Sequence, residues 1–121
     1  METLIGLGSL FAAIGVALGA FGAHGLQTRL PAERLETFET GVRYQMYHSL
    51  GLLAAGFVRG FLPGSVLAIA AGWLFLAGIF LFSGSLYLLV LTGRRLWGAV
   101  TPFGGLAFII GWICLALIWL L

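Results

Sequence analysis

Four apolar runs, separated by short polar stretches, account for most of the chain. Residues 4–23, 66–91 and 100–121 carry no charged side chain, and residues 44–62 carry only Arg59. A helix needs roughly 20 apolar residues to cross the hydrocarbon layer of a bilayer. The runs are continuous and lack the period of two that transmembrane barrel strands show. The pattern predicts an all-α fold, a transmembrane four-helix bundle with spans at these positions that together form one domain.

The segment 31–43 is the polar stretch between the first two runs. Pro31 suits a first helical turn, and Leu35, Phe38 and Val42 recur at spacings of three and four residues. This spacing predicts a short amphipathic helix that lies in the membrane interface and that has room to continue into the second span. A solvated cap over the bundle is the alternative.

Composition excludes a soluble globular domain. Hydrophobic residues make up 61% of the 121 residues, charged residues 8%, and the mean hydropathy is +1.12. Soluble domains carry about 25% charged residues. A chain this short has too little interior to hide so much apolar surface. Membrane lipids are therefore the predicted surroundings of the spans.

The basic residues lie mostly in the turns after the first and third spans. Five arginines occupy these turns, and only Arg59 lies on the opposite side. Short loops rich in Lys and Arg stay in the cytoplasm. We therefore expect both termini outside and the basic turns on the cytoplasmic side of the inner (cytoplasmic) membrane. The five residues are Arg29, Arg34, Arg43, Arg94 and Arg95.

Small residues recur four positions apart on every span, among the 19 glycines of the chain. Examples are Gly8 with Ala12 on the first span and Ala107 with Gly111 on the last. Such pairs let helix backbones approach closely within a bilayer. They indicate a compact bundle, although the same stripes would equally serve a homo-oligomer.

Two histidines stand near the cytoplasmic end of the first two spans. His24 closes the first span and His48 lies about one turn inside the second. Their imidazoles could tie the two helices together by hydrogen bonds, which intramembrane polar groups require. Alternatively, two facing histidines could ligate a haem iron or another metal, or form a proton site. A third possibility is that the rings face solvent.

Two further groups of polar residues lie inside the spans. His48 is surrounded by Arg43, Tyr44, Gln45, Tyr47 and Ser49. Such a cluster could bind a quinone head group, a lipid phosphate or a partner subunit, or it could only anchor the helix at the interface. Ser83, Ser85 and Tyr87 lie in the third span, where we expect the serines to bond the carbonyls of their own helix.

No catalytic set emerges from these residues. The chain has no Asp, and its four Glu residues lie at position 2 and in segment 31–43, so neither a carboxylate pair within the bilayer nor a Ser-His-Asp triad can form. A buried acidic group for proton-driven transport is missing as well. The Arg residues are explained by topology and give no reason to expect a nucleic-acid partner. We expect neither an enzyme nor a metal site nor a resident cofactor.

Four stretches, in order along nearly the whole chain, resemble the YgdD-like or YwdK-like family of small bacterial inner-membrane proteins, a domain of unknown function. These stretches are Gly19 to Leu26 (GAFGAHGL), Phe38 to Leu53, Phe82 to Tyr87 (FSGSLY), and Thr101 to Gly105 (TPFGG) followed by Gly111-Trp112. The resemblance implies a four-helix membrane protein and no particular activity. It marks nine family-motif positions, His24, Tyr44, Gln45, His48, Ser83, Ser85, Tyr87, Thr101 and Pro102.

The sequence therefore predicts a non-enzymatic accessory or scaffold protein of the inner membrane, acting as a homo-oligomer or within a larger membrane complex. The alternative is a binding or transport module that takes a lipid, quinone or haem near His24 and His48.

Overall fold

The computed structural model describes residues 1–121, the side chain of Ala23 excepted. It contains four helices, α1 (Glu2–Leu26), α2 (Ala32–Phe61), α3 (Val66–Thr92) and α4 (Leu96–Leu120). Within the described residues the fold is entirely helical and contains no strand. The all-α prediction is confirmed.

Each connection between helices is short and carries a recognisable stop or start signal. Pro31 directly precedes α2, and the Ser65 hydroxyl accepts a hydrogen bond of 3.2 Å from the backbone N–H of Ala68 at the start of α3. Gly93 ends α3 with φ of 70°, a left-handed conformation that glycine adopts without strain, and its N–H donates to the Leu89 carbonyl.

Two helices contain a π-helical turn. In α1 this turn covers Leu18–Gly22, and in α3 it covers Ile79–Gly84. A π turn widens the helix locally and turns the following side chains away from their regular positions, and such turns are frequent at functional sites.

Consecutive helices run antiparallel. Gly8 of α1 faces Leu52 of α2, and Gly15 faces Gln45 and Met46, so the numbering rises along one helix as it falls along the other. The same opposition relates Gly41 to Tyr87 between α2 and α3. The two termini therefore lie at one end of the molecule, together with the turn between α2 and α3.

One hydrophobic core joins all four helices. Phe75 of α3 is fully buried at the centre of this core. Leu4 of α1 lies against Gly72, which also belongs to α3. The buried members of this core are Leu4, Leu52, Ala55, Ala71, Phe75, Ile79, Phe108 and Leu115.

Three helices, α1, α3 and α4, are long and apolar enough to cross a membrane by length and composition. The second predicted span, 44–62, is part of α2 and does not belong to these three. The reason is polarity within the span itself, because Gln45, His48 and Arg59 lower the mean hydropathy of its residues.

The segment 31–43 and the second span form one helix and not two. Helix α2 runs without interruption over 30 residues, from Ala32 to Phe61. Phe38 and Gly41 are buried in its first half, where Gly41 packs against Tyr87 and Leu86 of α3. The first half of α2 therefore packs against α3 as part of the same continuous helix as the second predicted span.

Candidate functional site

Gln45 connects three helices through its side-chain amide. It lies on α2 and is only 2% exposed. Its Nε2 donates to the carbonyl of Phe11 on α1 at 2.8 Å, and its Oε1 accepts from the Tyr87 hydroxyl of α3 at 2.6 Å. A buried amide without partners would be costly in an apolar interior, so these two bonds fix the relative rotation of α1, α2 and α3.

His48 connects α2 to α4. The indole Nε1 of Trp112 donates to His48 Nε2 at 3.0 Å. An indole N–H can only donate, so His48 Nε2 accepts and the ring proton sits on Nδ1, which donates to the Tyr44 carbonyl at 2.7 Å. Both nitrogens are thus engaged, and the ring lies flat against Phe108 with centroids 3.4 Å apart.

The two serines of α3 act between helices. Ser83 is fully buried and its hydroxyl donates to the Gly41 carbonyl of α2 at 2.6 Å. Ser85 contacts the Thr101 hydroxyl of α4 at 2.6 Å and also the carbonyl of Phe82. The expectation that these serines bond only their own helix is wrong for Ser83, because the close approach at Gly41 brings a second carbonyl within reach.

His24 and Arg43 lie outside this network. His24 is exposed and borders a small cavity with Gly19, Gln27 and Glu39. His48 follows Glu39 by nine residues on the same helix, about 13 Å along its axis. The structure therefore does not bring the two histidines together and gives no support to a ligand held between them. Arg43 is exposed and donates to the Thr40 hydroxyl.

The other predicted residues, Tyr44, Tyr87 and Thr101, each contact a member of the network described above. Tyr44 is 38% exposed and contributes its carbonyl to His48 and its ring to a cluster with Phe82 and Phe108. Tyr87 and Thr101 each hold one of the interhelix bonds described above. Within the described part of the chain, no three His, Cys, Asp or Glu side chains lie close enough to hold a metal ion.

Sequence reasoning missed Trp112 as a member of the site. Its indole pairs with His48 on a neighbouring helix, a pairing that the hydropathy pattern of α4 alone does not reveal. The family motif Gly111-Trp112 was the available signal. Ser49, whose hydroxyl donates to the Gln45 carbonyl at 2.6 Å, is a second member and was noticed only as a neighbour of His48.

A compact set of apolar helices with internally paired polar groups defines an all-helical membrane protein. Residues 18–105 match the family described as "Protein of unknown function (DUF423)", a match that includes every predicted site residue. The chain belongs to this family, which confirms the resemblance noted from its motifs.

Similar proteins from bacteria carry membrane-protein names. The chain is 51% identical to the UPF0382 membrane protein YwdK of Bacillus subtilis over 113 residues, which cover 93% of this chain and 92% of that protein. It is 50% identical to a UPF0382 membrane protein of Staphylococcus saprophyticus over 117 residues, covering 97% and 96% of the two chains. No solved structure matches the chain significantly.

Proposed function

We propose that this protein is a non-enzymatic structural element of the inner membrane, a four-span helical bundle that serves as an accessory or scaffold for a homo-oligomer or a larger complex. The observation that carries the proposal is the use of its buried polar side chains. Gln45, His48 and Ser83 each direct their hydrogen bonds to another helix or to their own backbone. Such a set stabilises one arrangement of helices and leaves no free catalytic group among them.

The length of α2 supports a fourth span. Thirty residues extend about 45 Å, which exceeds the roughly 30 Å of a hydrocarbon core. Its charged first half would then project into the cytoplasmic interface, where segment 31–43 was predicted. Arg59, near the other end of α2, is positioned to reach the opposite interface.

Exposed apolar side chains support a partner within the membrane as well as lipid contact. Phe21, Phe61 and Phe80 are 77%, 80% and 60% exposed. Lipid covers such residues in a monomer, and helices of a partner cover some of them in a complex.

The test is the size of the particle that forms in native membranes. Chemical crosslinking of membranes should trap the tagged chain in a species larger than its 12.9 kDa, and the same species should persist in mild detergent. Co-purification of differently tagged copies then separates a homo-oligomer from a complex with another protein. A chain that stays monomeric in both preparations overturns the scaffold proposal.

A further inference from the structure

A groove runs between α1 and α3, with α2 as its floor. It consists of two adjoining cavities of about 560 and 220 Å³, which share the side chains of Leu18 and Tyr87. The larger cavity opens toward Arg29, in the turn after α1. The smaller one continues to Phe11 and Phe80, near the middle of both helices. The groove thus leads from the basic end of the molecule into its apolar centre.

The chemistry of the groove changes along its length. The Arg29 guanidinium stands at the outer end, and the walls beyond it are formed by apolar side chains such as Phe21 and Leu91. Gln45 and Tyr87 lie on the floor, but Tyr87 donates to Gln45, and Gln45 donates to the Phe11 carbonyl. Because these groups satisfy one another, the inner groove suits a hydrocarbon chain better than a polar head group.

The length of the groove matches half of a bilayer. Its α3 wall runs from Leu91 to Phe80, eleven residues or about 16 Å at the usual helical rise. One leaflet contributes about 15 Å of a hydrocarbon layer that is about 30 Å thick. A single acyl chain entering from the basic end therefore fits from mouth to end.

Both π-helical turns of the protein lie in the walls of this groove. Leu18–Gly22 forms the α1 wall, and Ile79–Gly84 forms the α3 wall. At Gly84 a Cβ atom would meet only the Ile79 carbonyl oxygen, at 3.8 Å, so the groove is open at this point. Since π-helical turns are frequent at functional sites, their presence in both facing walls indicates that the groove has a function.

We propose that the groove binds one acyl chain of an anionic phospholipid, whose phosphate pairs with Arg29. Charge favours this occupant, because Arg29 lies at the mouth and the antiparallel helices place Arg34, Arg94 and Arg95 at the same end. These arginines outnumber the glutamates of that end, Glu33, Glu36 and Glu39. The proposal requires the chain to lie in a membrane and goes beyond the scaffold role, which would remain if the groove proved unspecific.

The head group provides the selectivity. An acyl chain is as well solvated by other lipid tails as by the groove, so burial of the chain discriminates little between lipids. One basic side chain near an anionic surface supports a preference of about fivefold, which corresponds to about 1 kcal/mol.

The first arm of the experiment tests the head group. The full chain, purified in mild detergent, is titrated with phosphatidylglycerol and with phosphatidylcholine of identical acyl chains, and bound lipid is counted by native mass spectrometry. We expect Arg29→Gln to lower the preference for phosphatidylglycerol about fivefold. Arg59→Gln, the matched change at the opposite end, should leave the preference unchanged. Equal preferences in the two variants overturn the proposal.

The second arm tests the acyl chain. Gly84→Leu fills the inner cavity, whereas Gly105→Leu introduces the same side chain on α4, outside the groove, where a Cβ meets only Phe82 at 3.9 Å. We expect the first variant to lose phosphatidylglycerol binding and the second to retain it, and glycerol phosphate without a chain should not compete. Equal binding by both variants contradicts the proposal, as does an isoprenoid quinone that co-purifies in place of phospholipid and is lost in Gly84→Leu.

Discussion

His48 shows how a single polar side chain is accommodated between apolar helices. Its ring accepts from Trp112, donates to the Tyr44 carbonyl and stacks on Phe108. These contacts favour the neutral imidazole, because the accepting nitrogen must keep its lone pair free of a proton. This geometry gives His48 a structural role, because its hydrogen bond to Trp112 links α2 to α4.

The first prediction concerns the contribution of the hydrogen bond between His48 and Trp112 to stability. His48→Phe and Trp112→Phe should each lower the free energy of unfolding in detergent, since each strands a polar partner. If the hydrogen bond between His48 and Trp112 causes both effects, the double variant loses less stability than the sum of the losses in the two single variants. We expect a coupling energy of about 0.6 to 1.7 kcal/mol, the range of interhelix hydrogen bonds in membranes. Additive losses would show that the two residues act independently.

The second prediction concerns Gln45, whose amide serves two helices. Gln45→Leu leaves the Tyr87 hydroxyl and the Phe11 carbonyl without this partner and should cost about 1 to 3 kcal/mol of stability. The same replacement at Gln27, which is exposed, serves as the control and should change stability by less than about 0.5 kcal/mol. Thermal unfolding in detergent measures both, and equal shifts would refute the assigned role.

The polar residues themselves were predictable, but most of their partners were not. Gln45, His48 and Ser83 stand out in the sequence because each lies in an apolar run. Which helix each one meets depends on helix order and rotation, which periodicity on a single helix does not determine. For this reason the pairing of Trp112 with His48 was not predicted, and His24 was considered as a companion of His48.

At the scale of the elements, glycines set the distance between helices. The backbone of α4 passes so close to α3 at Gly104 that a Cβ there would collide with the backbone N of Phe82. Backbone atoms cannot move aside as a flexible side chain can. The hydrophobic effect does not drive helices together within lipid, so they associate through the close packing that small residues allow at such crossings.

The third prediction uses the two adjacent glycines of α4. Gly104→Ala should separate α3 from α4 and cost about 1 to 3 kcal/mol, as other overpacked interiors do. Gly105→Ala adds the same methyl group to open space beside Phe82 and should be neutral or slightly stabilising, since alanine favours a helix. Unfolding of both variants in the same detergent tests the pair. Similar stability for the two would mean that the crossing relaxes without cost.

The apolar runs predicted three of the four helices well, because continuous hydrophobicity directly reflects burial in lipid. The runs 66–91 and 100–121 correspond to α3 at Val66–Thr92 and α4 at Leu96–Leu120. The continuity of α2 was less accessible, since polarity changes at residue 43 although the helix does not end there. The π turns at Leu18–Gly22 and Ile79–Gly84 have no counterpart in the hydropathy pattern, which continues through both of them.

At the scale of the whole molecule, antiparallel packing sorts the charges. The turns at 27–31 and 93–95 lie at one end and contain Arg29, Arg94 and Arg95, while Arg59 lies near the opposite end. The molecule is therefore a set of packed apolar helices with five arginines and three glutamates at one end. The same end contains the mouth of the proposed lipid groove.

The last prediction is the orientation of this body in the membrane. With five arginines at one end against one at the other, the basic turns should remain in the cytoplasm and both termini should face outward. Alkaline phosphatase fused after Leu121 should be active, and green fluorescent protein fused there should be dark. The two reporters together exclude a simple failure of expression.

Charge redistribution tests the cause of that orientation. Arg94→Gln, Arg95→Gln and Gly64→Arg together leave three arginines against two, and Gly64 has space for the new side chain. We expect this variant to show lower phosphatase activity and some fluorescence, a mixture of the two orientations, because the difference that holds the basic end inside has shrunk from four charges to one. The triple variant with Gly64→Gln instead keeps three against one and should stay closer to the parent. If both variants keep the parent's reporter ratio, the arginines do not set the topology and the apolar helices must insert in a fixed order of their own.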